Sequence, residues 1–261
     1  MKQKVRYKDG HCLAYAEYGD QGGFPILIQH GLIASIDDYE LFDRLIHARA
    51  RLVCIARPGY GESSPYVMDS LAEWADIVWP LIRELGLTQF DILGMSSGAP
   101  YSYALGCRFP DRVRNLYIFS GTPALYDEVV LSAWPYEIAR DKTMAEMEDL
   151  AHRLFFSNLT RDDLEKKDVR DSMMNNGFGV AQDLRLRSLP WGFALSDLRE
   201  KVYMRHSQCD EAVPFKTAVR TAELLPNCEL ELTETGPHFS NAALDDFIRE
   251  TIVTNLSPRE A

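Results

Sequence analysis

The chain is short of what several functions require. Its five cysteines, Cys12, Cys54, Cys107, Cys209 and Cys228, are odd in number, widely spaced and never arranged as CxxC. That argues against a disulfide scaffold and fits reduced thiols in a cytoplasmic protein. No HExxH and no Cys-type ligand pair occurs, so no metal centre is expected. Positive charge is scarce: 28 Lys and Arg stand against 39 Asp and Glu, for a net charge of −11. Phosphate backbones and anionic membrane surfaces are bound by clustered Lys and Arg, so neither nucleic acid nor a membrane is an expected partner. The acidic surplus serves solubility. No apolar run approaches the ~20 residues of a membrane span. The opening "MKQKVRYKDGHCLAYAEYGD" lacks the apolar core of a signal peptide. Repeats and low-complexity tracts are missing as well.

What is present is enough for a sizeable core: 261 residues, of which 46% are hydrophobic, suit one large α/β domain or a domain with an insertion. "VRY" and "CLAYAEYG" flank "KDGH" and read as a hairpin turning at Asp9-Gly10. Five apolar runs follow: "PILIQHG", "RLVCIAR", "FDILG", "NLYIFSG" and "KVYMRH". Consecutive apolar positions point to strands buried on both faces, as in a parallel sheet. A sixth run, "ELELT", alternates and suits an edge. Helical patterns separate these runs. "DYELFDRLIHA" is one; "SLAEWADIVWPLIRELGL" carries Leu71, Trp74, Ile77, Val78, Leu81 and Ile82 at helical spacing, with a kink expected at Pro80. "SGAPYSYALGCRFP", "FKTAVRTAELLP" and "NAALDDFIRETIVTNL" complete the alternation. The expected fold is a mostly parallel twisted sheet with helices on both faces.

Residues 122–199 break the pattern, because they contain helical stretches and no convincing strand. "DEVVLSAWPYEIARDK", "TMAEMEDLAHRLFF", "TRDDLEKKDVRDSMMNN" and "VAQDLRLRSLPW" all read as helices. That is too much for one crossover. We read 122–199 as a helical cap inserted into a core made of 1–121 and 200–261. Its Met144, Met147, Met173, Met174, Trp134, Phe155, Phe156, Phe178 and Trp191 serve chiefly to pack the cap, with a minority lining an apolar pocket over the sheet.

"GMSSG", Gly94 to Gly98, lies where the third run meets a helix. Small residues on both sides permit a sharp turn, since a side chain at either Gly would collide with the neighbouring strand or helix. Ser96 then sits at a strained apex, its Oγ above the carboxyl end of the sheet and beside the first N–H groups of the helix. A neutral Ser needs a base, and the base an orienting carboxylate. Asp210 lies just past the fifth run and His238 just past the sixth, in the order nucleophile, acid, base. Both are at strand ends, where open α/β sheets bind ligands. Glu211 should point away from Asp210's position, His206 is either solvent-side or structural, and Asp127 falls within the cap. An oxyanion needs two fixed donors. The amide of Ser97 is one and that of Leu32, in "HGLIAS" after "PILIQ", the other. His30 and Gly31 serve the geometry of that loop.

These residues resemble the α/β-hydrolase superfamily, in particular its capped, esterase-like members of the haloperoxidase and epoxide-hydrolase type. "HGLIAS", "RPGYGESSPY", "GMSSGAPYSYALGCRFPDRV", "HSQCDEAVP" and "GPHF" carry the resemblance. It implies a triad of Ser96, Asp210 and His238, an oxyanion hole of the Leu32 and Ser97 amides, a small-molecule substrate, and no metal or organic cofactor. Two departures stand out: Ala56 where relatives usually have Asp before Arg-Pro-Gly, and Ser207 where they often have Gly after His. Ser at position 96 argues against haloalkane dehalogenation and epoxide hydrolysis, which use a carboxylate nucleophile. Hydrolysis of a carboxylic ester is the expected activity. C–C bond hydrolysis and cofactor-free peracid formation are alternatives with the same residues, and a ligand-binding pseudo-enzyme is the alternative outside catalysis.

Overall fold

The apolar runs of the sequence lie side by side in one sheet. The computed structural model describes residues 2–256. Its strands are β1 (Gln3–Arg6), β2 (Cys12–Gly19), β3 (Pro25–Gln29), β4 (Arg51–Ile55), β5 (Phe90–Met95), β6 (Val113–Phe119), β7 (Lys201–Ser207) and β8 (Cys228–Thr233). The spatial order is β1-β2-β4-β3-β5-β6-β7-β8. β2 runs antiparallel to β1 and β4, and every other pair is parallel. β5 is buried along its whole length, as its unbroken apolar run requires of a central strand. β8, at the edge, alternates in exposure. Side chains alternate across the sheet, so each face carries a core. Leu27, Val53, Ile92 and Leu116 point to one, and Ile28, Cys54, Leu93 and Tyr117 to the other.

The chain reverses direction across the sheet between β3 and β5, which are hydrogen-bonded neighbours. This is the crevice where ligands sit in open α/β sheets. α1 (Asp43–His47) precedes β4, α2 (Glu73–Glu84) precedes β5, and α3 (Ala99–Arg108) follows it. α2 buries Trp74, Ile77, Val78, Leu81 and Ile82 on one face. It continues through Pro80 as one helix. Pro80 lacks an N–H, so the Asp76 carbonyl goes without its helical donor; Asp76 is exposed, and water can take its place.

Among the described residues, 122–199 holds helices and no strand. These are α4 (Glu128–Ser132), α5 (Met144–Ala151), α6 (Arg161–Glu165), α7 (Lys167–Met173) and α8 (Phe178–Leu186). The first is much shorter than the stretch from Asp127 to Lys142 that reads as helical. Pro135 accounts for this, since it disfavours a helical residue before it and cannot donate within a helix. Capping boxes at Thr143/Glu146 and Thr160/Asp163 start α5 and α6. α8 packs on α5 and is buried at eight of its nine positions. α9 (Phe215–Glu223) and α10 (Asn241–Phe247) follow β7 and β8. No helix among the described residues is long and apolar enough to cross a membrane.

Candidate active site

Ser96 directly follows β5 and adopts φ 48°, a left-handed conformation that is strained for a residue with a side chain. Two close approaches hold the turn. A Cβ at Gly98 would stand 2.1 Å from the Gln29 carbonyl oxygen, and one at Gly94 2.2 Å from the Ser102 Oγ. The neighbouring strand and the following helix thus both require glycine, as the sequence pattern implies. The Thr122 N–H donates to the Ser96 carbonyl at 2.9 Å and fixes the apex from behind.

Ser96, Asp210 and His238 converge from three strand ends. The Ser96 Oγ lies 2.9 Å from His238 Nε2, and His238 Nδ1 lies 2.7 Å from Asp210 Oδ2. The carboxylate can only accept, so Nδ1 carries the hydrogen and Nε2 is free to accept from the serine hydroxyl. The other Asp210 oxygen accepts from the Ala212 and Val213 amides at 2.9 and 2.8 Å. Burial alone would raise the Asp210 pKa. Hydrogen bonds from His206, His238 and the Val213 amide outweigh it and hold the carboxyl well below the usual range. Asp210 is therefore ionised at neutral pH.

The other candidate polar residues sort clearly. Glu211 is exposed and contributes only its backbone carbonyl, to Tyr136. Asp127 caps α4 and pairs with Arg220 at 3.0 Å. His206 is buried rather than solvent-side; its Nε2 donates to the Val213 carbonyl at 2.9 Å and lies 3.2 Å from Asp210 Oδ2. It therefore braces the acid loop. Ser207 does so as well. Its hydroxyl accepts from the Cys209 amide at 3.1 Å and donates to the Gly236 carbonyl at 2.6 Å, two residues before His238.

The Leu32 amide meets no acceptor among the described residues, and the Ser97 amide lies in the first turn after the apex, ahead of the helical ladder. Both residues line the same cavity as Ser96 and His238. His30 is buried beneath them. Burial, and then the Arg57 charge, push its pKa well down, so it is a neutral ring that bonds the Gly31 carbonyl at 2.8 Å.

The cavity measures about 1080 Å³ and lies between the carboxyl ends of the strands and the helical segment. Ile36, Phe42, Met147, Leu150, Phe155 and Leu184 make much of its wall apolar. Of the aromatic and Met residues of 122–199 singled out from sequence, Met147, Trp134 and Phe155 line it, whereas Trp191 packs into the core. Sequence reasoning misses Arg187, which lines the cavity from the end of α8. In "DLRLRSLP" it is one of two arginines at a helix end, a pattern that reads as a solvated face. Asp38, which also lines the cavity, has its pKa pushed up to about 6 by burial and then by Asp168.

Comparison with known proteins finds hydrolases of this fold. The chain spans 42% of the length of the Bacillus subtilis hydrolase YcgS, matched at 29% identity over 46% of this chain. It is 23% identical to the pimeloyl-[acyl-carrier protein] methyl ester esterase of Aromatoleum aromaticum over 78% of this chain and 87% of that one. It is 22% identical to the 2-hydroxymuconate semialdehyde hydrolase of Pseudomonas sp. strain CF600 over 90% of each. An esterase from Exiguobacterium antarcticum superposes with a TM-score of 0.77 at 19% identity, covering 98% of this chain and 99% of that chain. The sequence profile described as alpha/beta hydrolase fold matches residues 25–242, from the start of β3 into α10, so the residues that hold Ser96, Asp210 and His238 all fall within it and the chain belongs to that family.

Proposed function

We propose that the protein is a serine hydrolase that cleaves a carboxylic ester, or a related acyl bond, of a small and largely apolar substrate. The observation that carries this is the unbroken relay from the Asp210 carboxylate through His238 to the Ser96 hydroxyl, at 2.7 and 2.9 Å, opening onto an apolar cavity. As Ser96 Oγ attacks the carbonyl carbon, His238 Nε2 takes its proton. Asp210 holds the ring and stabilises the imidazolium. The Leu32 and Ser97 amides receive the oxyanion; losing one such donor typically costs about 3–4 kcal/mol of barrier. The alcohol leaves with the proton from His238. Water then attacks the acyl-enzyme by the same route, and the acid departs. Segment 122–199 acts as the lid that keeps bulk water from this site.

Ser96→Ala is the test. It should abolish turnover of a panel of p-nitrophenyl acyl esters and labelling by a fluorophosphonate, with the thermal unfolding midpoint little changed. Full activity in that variant removes Ser96 from the chemistry. A wild-type protein that binds small acids but is neither labelled nor active would instead be a ligand-binding relative. A second reading is hydrolysis of a C–C bond in a vinylogous diketone, favoured by the similarity to 2-hydroxymuconate semialdehyde hydrolase along nearly the whole chain. Turnover of such a dienoate at rates above the best ester would select it.

A further inference from the structure

Among the described residues, Lys166, Lys167 and Arg187 are the Lys and Arg side chains that line the cavity, and two of them have partners. Lys166 pairs with Asp163 at 2.6 Å and Lys167 with Glu40 at 3.2 Å. The third, Arg187, has none: among the described residues its guanidinium makes neither a hydrogen bond nor an ion pair. Its Nε is shut off from solvent and bare, while the residue as a whole keeps partial access. The nearest candidate partner is Asp183, one turn back on α8. That carboxylate is fully engaged, since it accepts from Arg57 Nε and Nη2, the Tyr60 hydroxyl and the Tyr101 hydroxyl.

The Arg187 guanidinium carbon lies 5.5 Å from the centroid of the Trp134 ring, which also lines the cavity. That contact supports a cation without using any of its five N–H donors. Burial lowers the Arg187 pKa to about 10, so the group is still charged at neutral pH. A desolvated charge without a counter-ion is unfavourable, and the guanidinium fork matches a carboxylate in a bidentate way. Here the fork lines the same cavity as Ser96, whose wall carries Tyr136, Glu137 and Asp38 as well as apolar side chains.

We infer that Arg187 anchors a free carboxylate on the substrate, so that the bond cleaved at Ser96 belongs to an ester that also bears an acid group. This rests on the serine-hydrolase reading. The acid can sit on the acyl side, as in a half-ester of a dicarboxylic acid, or on the alcohol side, as in an ester of a hydroxy acid. In both, an apolar spacer lies against Leu150, Phe155 and Leu184 while the two ends are fixed by Arg187 and by Ser96 with its amides.

The experiment pairs each acid with its neutral twin. Mono-p-nitrophenyl succinate, glutarate and adipate are compared with their methyl-capped counterparts, and 4-butyryloxybenzoate with its methyl ester. In the wild type kcat/KM should favour the free acid in one arm, which identifies the side that carries it. In Arg187→Met the acid-to-neutral ratio should fall by about 10- to 100-fold, and Arg187→Lys should retain part of it. A wild-type ratio at or below about one in both arms overturns the inference, as does a ratio unaltered in Arg187→Met. If Arg187→Met fails to fold, the wild-type ratios and Arg187→Lys decide. Calorimetry of Ser96→Ala with monomethyl and dimethyl adipate reads capture of the carboxylate without turnover. Tighter binding of the monoester supports the anchor even if ester hydrolysis fails. Labelled, active enzyme with no preference for acids removes the anchor and leaves the hydrolase reading intact.

Discussion

The Arg57 guanidinium and the Asp183 carboxylate form an ion pair closed off from solvent, with side chains 1% and 3% exposed and Nη2 to Oδ2 at 2.5 Å. Arg57 follows β4 and Asp183 lies on α8, so the pair ties the helical segment to the sheet. Arg57 also donates to the His30 and Gly31 carbonyls at 2.6 and 2.8 Å. Those bonds fix the peptide planes just before Leu32, whose amide we assign to the oxyanion. Burial would lower the Arg57 pKa, but the Asp183 charge overrides it and keeps the guanidinium firmly protonated. Removing one partner of such a pair leaves the other buried and unpaired. Asp183→Ala should therefore cost about 3–5 kcal/mol in urea unfolding. The double variant Arg57→Met, Asp183→Leu should recover only part of that, because it also leaves the Tyr101 hydroxyl and the His30 and Gly31 carbonyls without these partners. A loss below about 1 kcal/mol in Asp183→Ala would mean that water reaches Arg57 and the pair is not closed.

Ser207 stands where relatives of this type often have Gly, and its hydroxyl joins the loop of Asp210 to that of His238. Ser207→Ala keeps the volume and removes the tie. The expected cost is about 0.5–1.5 kcal/mol of stability. Looser placement of His238 should lower kcat roughly tenfold with little change in KM, because the imidazole rather than the substrate is displaced. Steady-state kinetics on a p-nitrophenyl ester measures both. An unchanged kcat would show that other contacts hold the base loop.

Gly98 leaves no room for a methyl group against the Gln29 carbonyl. The obstacle is backbone of the central sheet, which cannot swing aside as a side chain does. Gly98→Ala should thus destabilise by at least about 1–3 kcal/mol and displace Ser96 from His238, with ester turnover lost at temperatures where the fold persists. Retained turnover in a folded Gly98→Ala protein would place the turn elsewhere.

Much of this architecture is legible because parallel strands need residues that are apolar on both faces, and "PILIQ", "RLVCI" and "FDILGM" have few other uses. The same legibility extends to Ser96, Asp210 and His238, since each is a polar residue a few positions past a strand-like run, buried on both faces before Ser96 and alternating before His238. Where the chain leaves the sheet, period alone says less. The stretch from Asp127 to Lys142 has helical spacing, yet only Glu128–Ser132 coils, because Pro135 stops it. Arg57, Asp183 and Arg187 are illegible for a different reason. Whether an arginine faces water, a carboxylate or an empty wall depends on which elements meet, and Arg57 and Asp183 are 126 positions apart. His206 is similar: nothing in "MRHSQCD" says whether the ring turns outward or braces Asp210.

Asp210 gives the last prediction a definite sign. Its native pKa lies below the ordinary value near 3.9. A carboxyl shifted this way stabilises the fold at every pH above the ordinary value, and that contribution is lost as pH falls through the lowered native value. Asp210→Asn removes the titration. Below about pH 4 the wild type should therefore lose stability more steeply than the variant, as read by urea unfolding across an acid series. At neutral pH the same variant has a single oxygen acceptor. It can serve the Ala212 and Val213 amides or the His238 N–H, not both, so the imidazole loses the partner that keeps its hydrogen on Nδ1. Ester turnover should drop by roughly 10⁴-fold, the scale seen when an orienting carboxylate is lost. Turnover within tenfold of wild type would mean that a group other than Asp210 orients His238.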